Sequence, residues 1–421
     1  MPSRQTRPPL STEHKALTPR GAALKVVRVL QEAGHVAYFA GGCVRDMLLG
    51  KRPDDYDVAT SAEPREVIRL FRRTQQVGAK FGVVLVRIGS HAIETATFRT
   101  DGDYADGRRP TAVRFTDARH DAERRDFTIN GMFYDPVTRT VIDHVGGQTD
   151  LERRVIGAIG EPDRRFAEDH LRLLRAIRFA ARFDFEIARG TWAAMCLNAP
   201  SIARISPERI WTELAAMFEH PRRAKAFSHL HRSNLLFHLW PVARVLRGHE
   251  ALVEAWLAEL PVRSSADLCL AITVHAMSLP EVDETCDALR CSNQTRRTVR
   301  WLHEKQAALN EPDRLTLADL KLLMAHDAFS DLLSMFAARL RATGKPASPF
   351  RRVQSRVRSI APQDVAPKPL VTGDDLARLK VPRGPIYKKV LDQVYYAQLN
   401  GELSNRESAH RYVLTLLQTQ T

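Results

Sequence analysis

Two carboxylates spaced two residues apart, Asp55 and Asp57, are the residues of this sequence best suited to chemistry. They lie in Asp55-Tyr56-Asp57-Val58, which reads as a strand, and residues i and i+2 of a strand face the same side. Held that close, two negative charges repel and raise each other's pKa. A hard divalent cation removes this penalty, and Mg²⁺ takes ligands from one or two carboxylates together with substrate phosphates. Upstream, the apolar run Val36 to Ala40 reads as another strand and ends in Gly41-Gly42. Glycines there let the backbone turn sharply and let a ligand approach it closely. Arg45 follows, a charge-assisted donor suited to phosphate oxygens. Taken singly, each feature has a plain structural explanation, because DxD is common in turns and a glycine pair is usually a loop. In this order and spacing they describe a metal site beside a cradle for a nucleotide triphosphate.

These groups need elements to position them. Residues 20–33 carry Ala23, Val26, Val27, Leu30 and Ala33 at helical spacing, and Gly34 ends that helix. Met47 to Leu49 reads as one or two helical turns, and the chain turns again at Gly50 to Pro53. Ser61 is expected to cap a helix with Glu63-Pro64 in its first turn and Val67, Ile68 and Phe71 on its apolar side. Residues 82–88 and 91–98, parted by Gly89-Ser90, form a hairpin pattern. If the second of these strands borders the aspartate strand, Glu94 approaches the metal site; otherwise it is a solvated strand residue. Residues 101–112 have turn composition and read as a mobile loop. Up to about Gly160 the pattern is one α/β domain with a small, largely antiparallel sheet. From there strand alternation stops. Residues 163–220 are helical and rich in arginine, and 221–345 continue as helices broken near Pro241, Pro261, Pro280 and Pro312. Residues 345–369 read as a proline-rich, basic linker, after which Thr372-Gly373-Asp374-Asp375 caps a new helix.

The 421 residues suffice for two or more domains with real cores. No apolar run is long enough to span a bilayer. The basic, polar start lacks the apolar stretch of a secretory signal and reads as a disordered arm. The five cysteines are scattered without a CxxC pair, which fits reduced thiols and a cytoplasmic setting with no disulfide partner. A net charge of +14 points to a polyanion, and without a basic amphipathic anchor nucleic acid is favoured over a membrane surface.

Residues 41–60 as a whole resemble the signature GGxVRDxLLGxxxxDxDxxT of the class II tRNA nucleotidyltransferase and bacterial poly(A) polymerase family. Gly41, Gly42, Val44, Arg45, Asp46, Leu48, Leu49, Gly50, Asp55, Asp57 and Thr60 match it. Further blocks extend the resemblance over residues 36–220: Arg124-Arg125-Asp126, Glu168-Asp169-His170-Leu171-Arg172, and Ser206-Pro207-Glu208-Arg209-Ile210. Residues 373–376, 384–391 and 397–403 resemble the family's C-terminal blocks more loosely.

The resemblance implies an α+β fold: a nucleotidyltransferase head with a small mixed or antiparallel sheet, then an all-helical neck, body and tail. The expected divisions are a basic arm at 1–19, the head at 20–160, the neck at 161–220, the body at 221–345, and a linker with an RNA-binding tail at 346–421. It implies Mg²⁺ on Asp55 and Asp57, acting as a metal pair that activates a 3′-hydroxyl and stabilises the leaving pyrophosphate. Gly42 and Arg45 are expected at the triphosphate, and Arg125 and Asp126 at the sugar and phosphates. Asp169, Arg172, Arg175 and Arg178 recur every three residues, a spacing that on one helix makes a continuous face. In the family the acid and arginine of this motif act as a protein template for the base. A carboxylate accepts from the amino group of cytosine or adenine, and a guanidinium donates to the ring nitrogen. Uracil and guanine present a carbonyl where the amino group should be, which leaves buried polar groups unpaired. CTP and ATP are therefore the expected substrates, with tRNA as acceptor. Ser206 is expected to cap a helix that braces the selecting one, with Pro207 at its first position. His120-Asp121 and His326-Asp327 fall in no recognisable metal array and read as non-metal residues.

The expected activity is template-independent addition of CMP and AMP to tRNA. A poly(A) polymerase or an A-adding enzyme shares every motif, and the segment Gly78-Ala79-Lys80-Phe81-Gly82 favours the CCA-adding form. A catalytically silent RNA-binding protein is the alternative from another class.

Overall fold

Thr18 starts helix α1 (Pro19–Glu32): its side-chain oxygen accepts from the Gly21 amide at 3.1 Å, and Pro19 occupies the first helical position. The computed structural model describes residues 17–78, 81–102, 112–379, 381 and 384–418. Helix α1 buries Ala23, Val26, Val27 and Leu30, as their spacing predicts. Ala33, expected on the same face, is instead an exposed C-cap. Gly34, at φ 83°, then turns the chain into β1 (Ala37–Ala40).

Helix α2 (Gly42–Leu48) begins directly at the glycine pair and so is longer than the Met47–Leu49 segment expected. Strand β2 (Asp57–Thr60) leads to α3 (Pro64–Leu70). Its cap is Glu63, paired in a capping box with Glu66, and not Ser61. Ser61 is occupied elsewhere, its hydroxyl accepting from the Val36 amide at 2.9 Å. Strands β3 (Thr74–Gly78), β4 (Val83–Ile88) and β5 (His91–Thr97) follow, the last two forming the expected hairpin. Strands β6 (Arg99–Asp101) and β7 (Val113–Phe115) pair with each other. Most of the loop expected at 101–112, together with Ala79 and Lys80, lies outside the described residues. Next come α4 (Ala118–Glu123), β8 (Phe133–Asp135) and β9 (Thr140–Ile142).

Seven strands form one sheet in the order β3-β4-β5-β2-β1-β8-β9. Every neighbouring pair is antiparallel except β2 with β5, so the sheet is mixed and largely antiparallel, as read from the sequence. The parallel pairing sets Val58 opposite Thr95, which brings Asp57 and Glu94 side by side at the next position. Ala40, Ala59, Phe98, Ala122 and Phe133 form a core cluster, with Phe98 and Phe133 packed edge to face at 5.7 Å. Burying each such phenylalanine is worth roughly 2 kcal/mol.

Helix α5 (Gly147–Arg153), strand β10 (Val155–Ile156), and helices α6 (Pro162–Glu168) and α7 (Arg172–Phe183) come next. Strand β11 (Glu186–Ile187) then pairs in parallel with β10, a short strand within a region expected to be wholly helical. Helix α8 (Arg189–Asn198) packs on α6. The described residues up to Ile205 form one compact unit and those from Ser206 a second.

The second unit is helical. Pro207 occupies the first position of α9 (Pro207–Phe218) as expected, but the Ser206 side chain makes no cap hydrogen bond. Arg223 is buried as a structural residue, donating to the carbonyls of Phe218, Pro261 and Val262 at 2.7–2.9 Å. Trp256 is also buried and donates from Nε1 to the Met335 carbonyl. The expected linker contains a helix at Ser348–Arg358, held by Val353 in the core and by Arg356 donating to the Leu315 carbonyl. Thr372 caps the next helix as expected, in a capping box with Asp375. His326 stacks on Trp301 with ring centroids 3.8 Å apart, a packing role that needs no metal.

Candidate active site

Gly41 adopts φ 70° and passes its chain to α2 so tightly that a Cβ there would come within 2.9 Å of an Arg125 nitrogen. The positive φ favours glycine here, while the Arg125 guanidinium could shift to admit a Cβ. At Gly42, expected from sequence to allow close approach of the triphosphate, a Cβ would meet an Arg45 nitrogen at 3.4 Å.

Asp57 begins β2, while Asp55 precedes the strand, so the two aspartates do not share one strand as expected. Their alternation nevertheless holds: Asp55 and Asp57 are exposed and Tyr56 between them is buried. Tyr56 packs edge-on against Phe39 at 5.2 Å, which locks the segment before the strand starts. Although Asp57 as a residue is exposed, desolvation of its carboxyl by the surrounding protein atoms, with the Glu94 and Asp55 charges, pushes it up to about 6, and Arg125 opposes them. Glu94 thus reaches the aspartates through the parallel β2–β5 pairing. Among the described residues, no group of three His, Cys, Asp or Glu side chains is already gathered to hold an ion. The donor set nonetheless fits a hard cation. Asp57 is destabilised by like charges, and a divalent ion bound by one or two carboxylates completes its shell with water and phosphate oxygens.

The other side of the site is cationic. Asp121, nearly fully buried, accepts from Arg124 at 2.7 Å and from Arg125 at 2.9 Å. Burial pushes its carboxyl up, but the Arg125 and Arg124 guanidinia outweigh that and hold it below the usual carboxylate range. Arg125 also donates to the Asn130 carbonyl and lies over the Phe133 ring. The Asn130 side chain accepts from Arg45 and donates to Asp126. Arg45 is buried, pairs with Asp46 at 2.9 Å and lies 4.4 Å from the Phe183 ring centroid. Asp126 is buried and accepts from Arg175, Asn130 and the Phe127 amide, so its oxygens are already engaged within the chain.

Asp169 does not lie on the arginine helix. It is the extended break between α6 and α7, at φ −144°, and its carboxylate accepts from the Leu171 amide at 3.1 Å. Arg172 opens α7 and is buried, donating to Glu168 at 2.7 Å and to the Arg165 and Arg124 carbonyls. Arg175 and Arg178 extend along the helix with Phe179 beneath them, their guanidinia 5.2 and 4.5 Å from its ring centroid.

One cavity of about 570 Å³ gathers Gly42, Arg45, Asp57, Glu94, Arg125, Asp126, Asp169, Arg172, Arg175 and Arg178. Of the residues expected from sequence, Asp55 alone is not in its lining. Asp121, Asn130 and Phe179 were missed. A signal existed for Asp121, which stands three and four residues before the two arginines, the helical spacing for ion pairs. His120 beside it binds Asp117 at an exposed position.

A polymerase-type sheet with carboxylates at one strand edge and an arginine-walled cavity defines a nucleotidyltransferase. Residues 37–157 match the family described as the Poly A polymerase head domain, and residues 184–246 the probable RNA and SrmB-binding site of polymerase A. A CCA-adding enzyme of Geobacillus thermodenitrificans is 36% identical over 404 residues, covering 94% of this chain and 97% of that protein. That of Levilactobacillus brevis is 32% identical over 92% of this chain and 95% of its own length. The crystal structure of the Bacillus stearothermophilus CCA-adding enzyme in complex with CTP is 31% identical. It matches with a TM-score of 0.78, covering 96% of this chain and 98% of that one. The chain belongs to the CCA-adding enzyme family. A Thermotoga maritima CCA-adding enzyme complexed with tRNA, 21% identical, shares the fold at a TM-score of 0.69. Among the described residues, no helix is long and apolar enough to cross a membrane.

Proposed function

We propose that this protein adds CMP and AMP from CTP and ATP to the 3′ end of tRNA, without a nucleic-acid template, in the cytoplasm. The observation that carries this reading is the placement of Asp169 and Arg172 in the same cavity as Asp57. A base-selecting acid and arginine therefore share one cavity with the carboxylate of the transfer site. Support also comes from relatives of near full-length coverage, including the CTP complex.

In this reading Asp55 and Asp57 hold Mg²⁺, with Glu94 beside them. Bound there, the ion supplies charge neutralisation for the triphosphate and lowers the pKa of an attacking hydroxyl. Arg125, aimed by Asp121 and Asn130, pairs with phosphate oxygens. Arg45 acts from behind, fixing Asn130 and through it Asp126 and Arg175. Asp169 accepts from the amino group of the base and Arg172 donates to its ring, while Arg175 and Arg178 complete the wall. Head residues 20–160 and neck residues 161–220 thus supply transfer and selection. The basic body at 221–345 and tail at 346–421 hold the RNA backbone through contacts that weaken with salt.

The test is incorporation of labelled CTP or ATP into tRNA transcripts lacking all three, one or none of the terminal nucleotides. The expected result is two C and then one A on the shortest transcript. Incorporation of A restricted to the transcript lacking one nucleotide makes it an A-adding enzyme. Long A tails on unrelated RNA make it a poly(A) polymerase, and no incorporation with Mg²⁺ leaves RNA binding alone.

A further inference from the structure

The transfer cavity is lined by Asp57 and by neither Asp55 nor Tyr56. A second cavity, of about 430 Å³, is lined by Tyr56 and by neither aspartate. Arg20 from the first turn of α1, and Lys51 and Arg52 from the turn after α2, stand at it. All three are exposed, no carboxylate lines the cavity, and none of the three has an ion-pair partner among the described residues. Lys51 instead has its ammonium 5.2 Å from the Phe183 ring centroid. Tyr134, Met47 and Leu48 add apolar wall, with Tyr134 stacked on Phe39 behind it.

Tyr56 is the informative residue. As a residue it is more than nine-tenths buried, its ring against Phe39, but its hydroxyl remains open to solvent at the cavity and makes no hydrogen bond among the described residues. The cavity therefore combines three cationic side chains without ion-pair partners among the described residues, a solvent-open hydroxyl and a flat apolar wall. Its volume lies in the range of small-ligand sites, which run from about 300 to 1,000 Å³, and is too small for a duplex.

We propose that this cavity is a second binding site that takes one nucleotide unit. The phosphate lies among Arg20, Lys51 and Arg52 with the Tyr56 hydroxyl as a further donor, and the base lies against Tyr134, Met47 and Leu48. A free nucleoside triphosphate and a single nucleotide of an RNA strand share this chemistry. The inference rests on the cavity's own residues and not on the transfer reaction.

The experiment is equilibrium dialysis of the full chain in EDTA, with labelled ATP and separately with a labelled adenylate trimer. The protein carries Arg125→Ala and Arg175→Ala to weaken the transfer cavity. Saturable binding is expected, falling at least about tenfold when Lys51→Glu and Arg52→Glu are added. Tyr56→Phe, which removes an unpartnered hydroxyl and leaves the ring, is expected to weaken binding about threefold or more with the melting temperature unchanged. It decides the matter if the charge-reversed protein melts early. Binding of ATP assigns the site to free nucleotide, and binding of the trimer without ATP assigns it to RNA. Binding of neither probe, or binding indifferent to both sets of substitutions, overturns the proposal.

Discussion

On the arginine side of the transfer cavity the charges are already committed to partners within the chain. Arg124 and Arg125 share Asp121, Arg175 holds Asp126, Arg172 holds Glu168, and Arg45 holds Asp46 and Asn130. On the aspartate side no donor among the described residues hydrogen-bonds the side chains of Asp55, Asp57 or Glu94, and Asp57 is pushed up to about 6. The cationic wall is pre-organised, its geometry fixed before substrate arrives, which is how fixed dipoles and charges are most effective in catalysis. The acidic wall is left in conflict with itself, and that conflict is what gives a cation a reason to bind.

The two walls also respond to pH with opposite sign. Asp57 is raised above its ordinary value, so its contribution to stability is fully present below the usual carboxylate range and is lost as pH rises through about 6. Asp121 and Asp126 are pushed up by burial, yet their arginine partners hold them below the ordinary value. Their contribution is present above the usual carboxylate range and is lost as pH falls through the lowered values.

Removing the acidic wall is the severest way to break this contrast. Asp57→Asn is expected to reduce nucleotide incorporation by roughly 10³-fold or more, because the lost ion contributes several kcal/mol. Binding of tRNA, followed by filter retention, stays unchanged, and a loss of binding along with activity would mean that Asp57 is structural. Asp121→Asn attacks the cationic wall from behind. A group that orients those in contact with ligand typically matters by about 10- to 100-fold, and here the loss is expected in KM for CTP and ATP more than in kcat. An equal fall in kcat with KM unchanged would remove Asp121 from phosphate positioning. Acidification sharpens the contrast further: below about pH 6 the Mg²⁺ concentration for half-maximal activity should rise about tenfold per pH unit, as protonation of Asp57 competes with the ion. A flat dependence between pH 5 and 7 would show that the ion does not depend on this carboxylate. The mildest change is Phe179→Leu, which removes the ring under Arg175 and Arg178. Cation–π contacts are worth about 0.5–1 kcal/mol, so KM for nucleotide should rise about two- to fivefold. The ring is also buried against Phe127 and Phe183, so the melting temperature should fall as well.

Much of the fold was legible because its signals are local. The spacing of Ala23, Val26, Val27 and Leu30 set one face of α1, Gly89-Ser90 set the hairpin, and Thr372 with Asp375 set a cap. The exceptions were competitions between local options that sequence does not rank. Glu63 displaced Ser61 as a cap because the Ser61 hydroxyl was taken by the Val36 amide, and residues 348–358 became a helix because Val353 found a core. At the site, the types and order of Gly41, Gly42, Arg45, Asp55 and Asp57 announced a nucleotide and a metal. The face drawn through Asp169 and the three arginines failed, because a regular period assumes an unbroken helix and the chain breaks between α6 and α7.

What the sequence determined by itself is the chemistry: which groups carry charge, where the backbone turns, and which motif family they form. These follow from residue types and short-range geometry. Tertiary structure decided which charge faces which. Glu94 meets Asp57 through a parallel strand pairing, Arg175 reaches Asp126 across 49 residues, and Arg45 finds Asn130 across 85. Those partnerships depend on how the chain closes on itself, and they fix which wall is satisfied and which is left open for an ion.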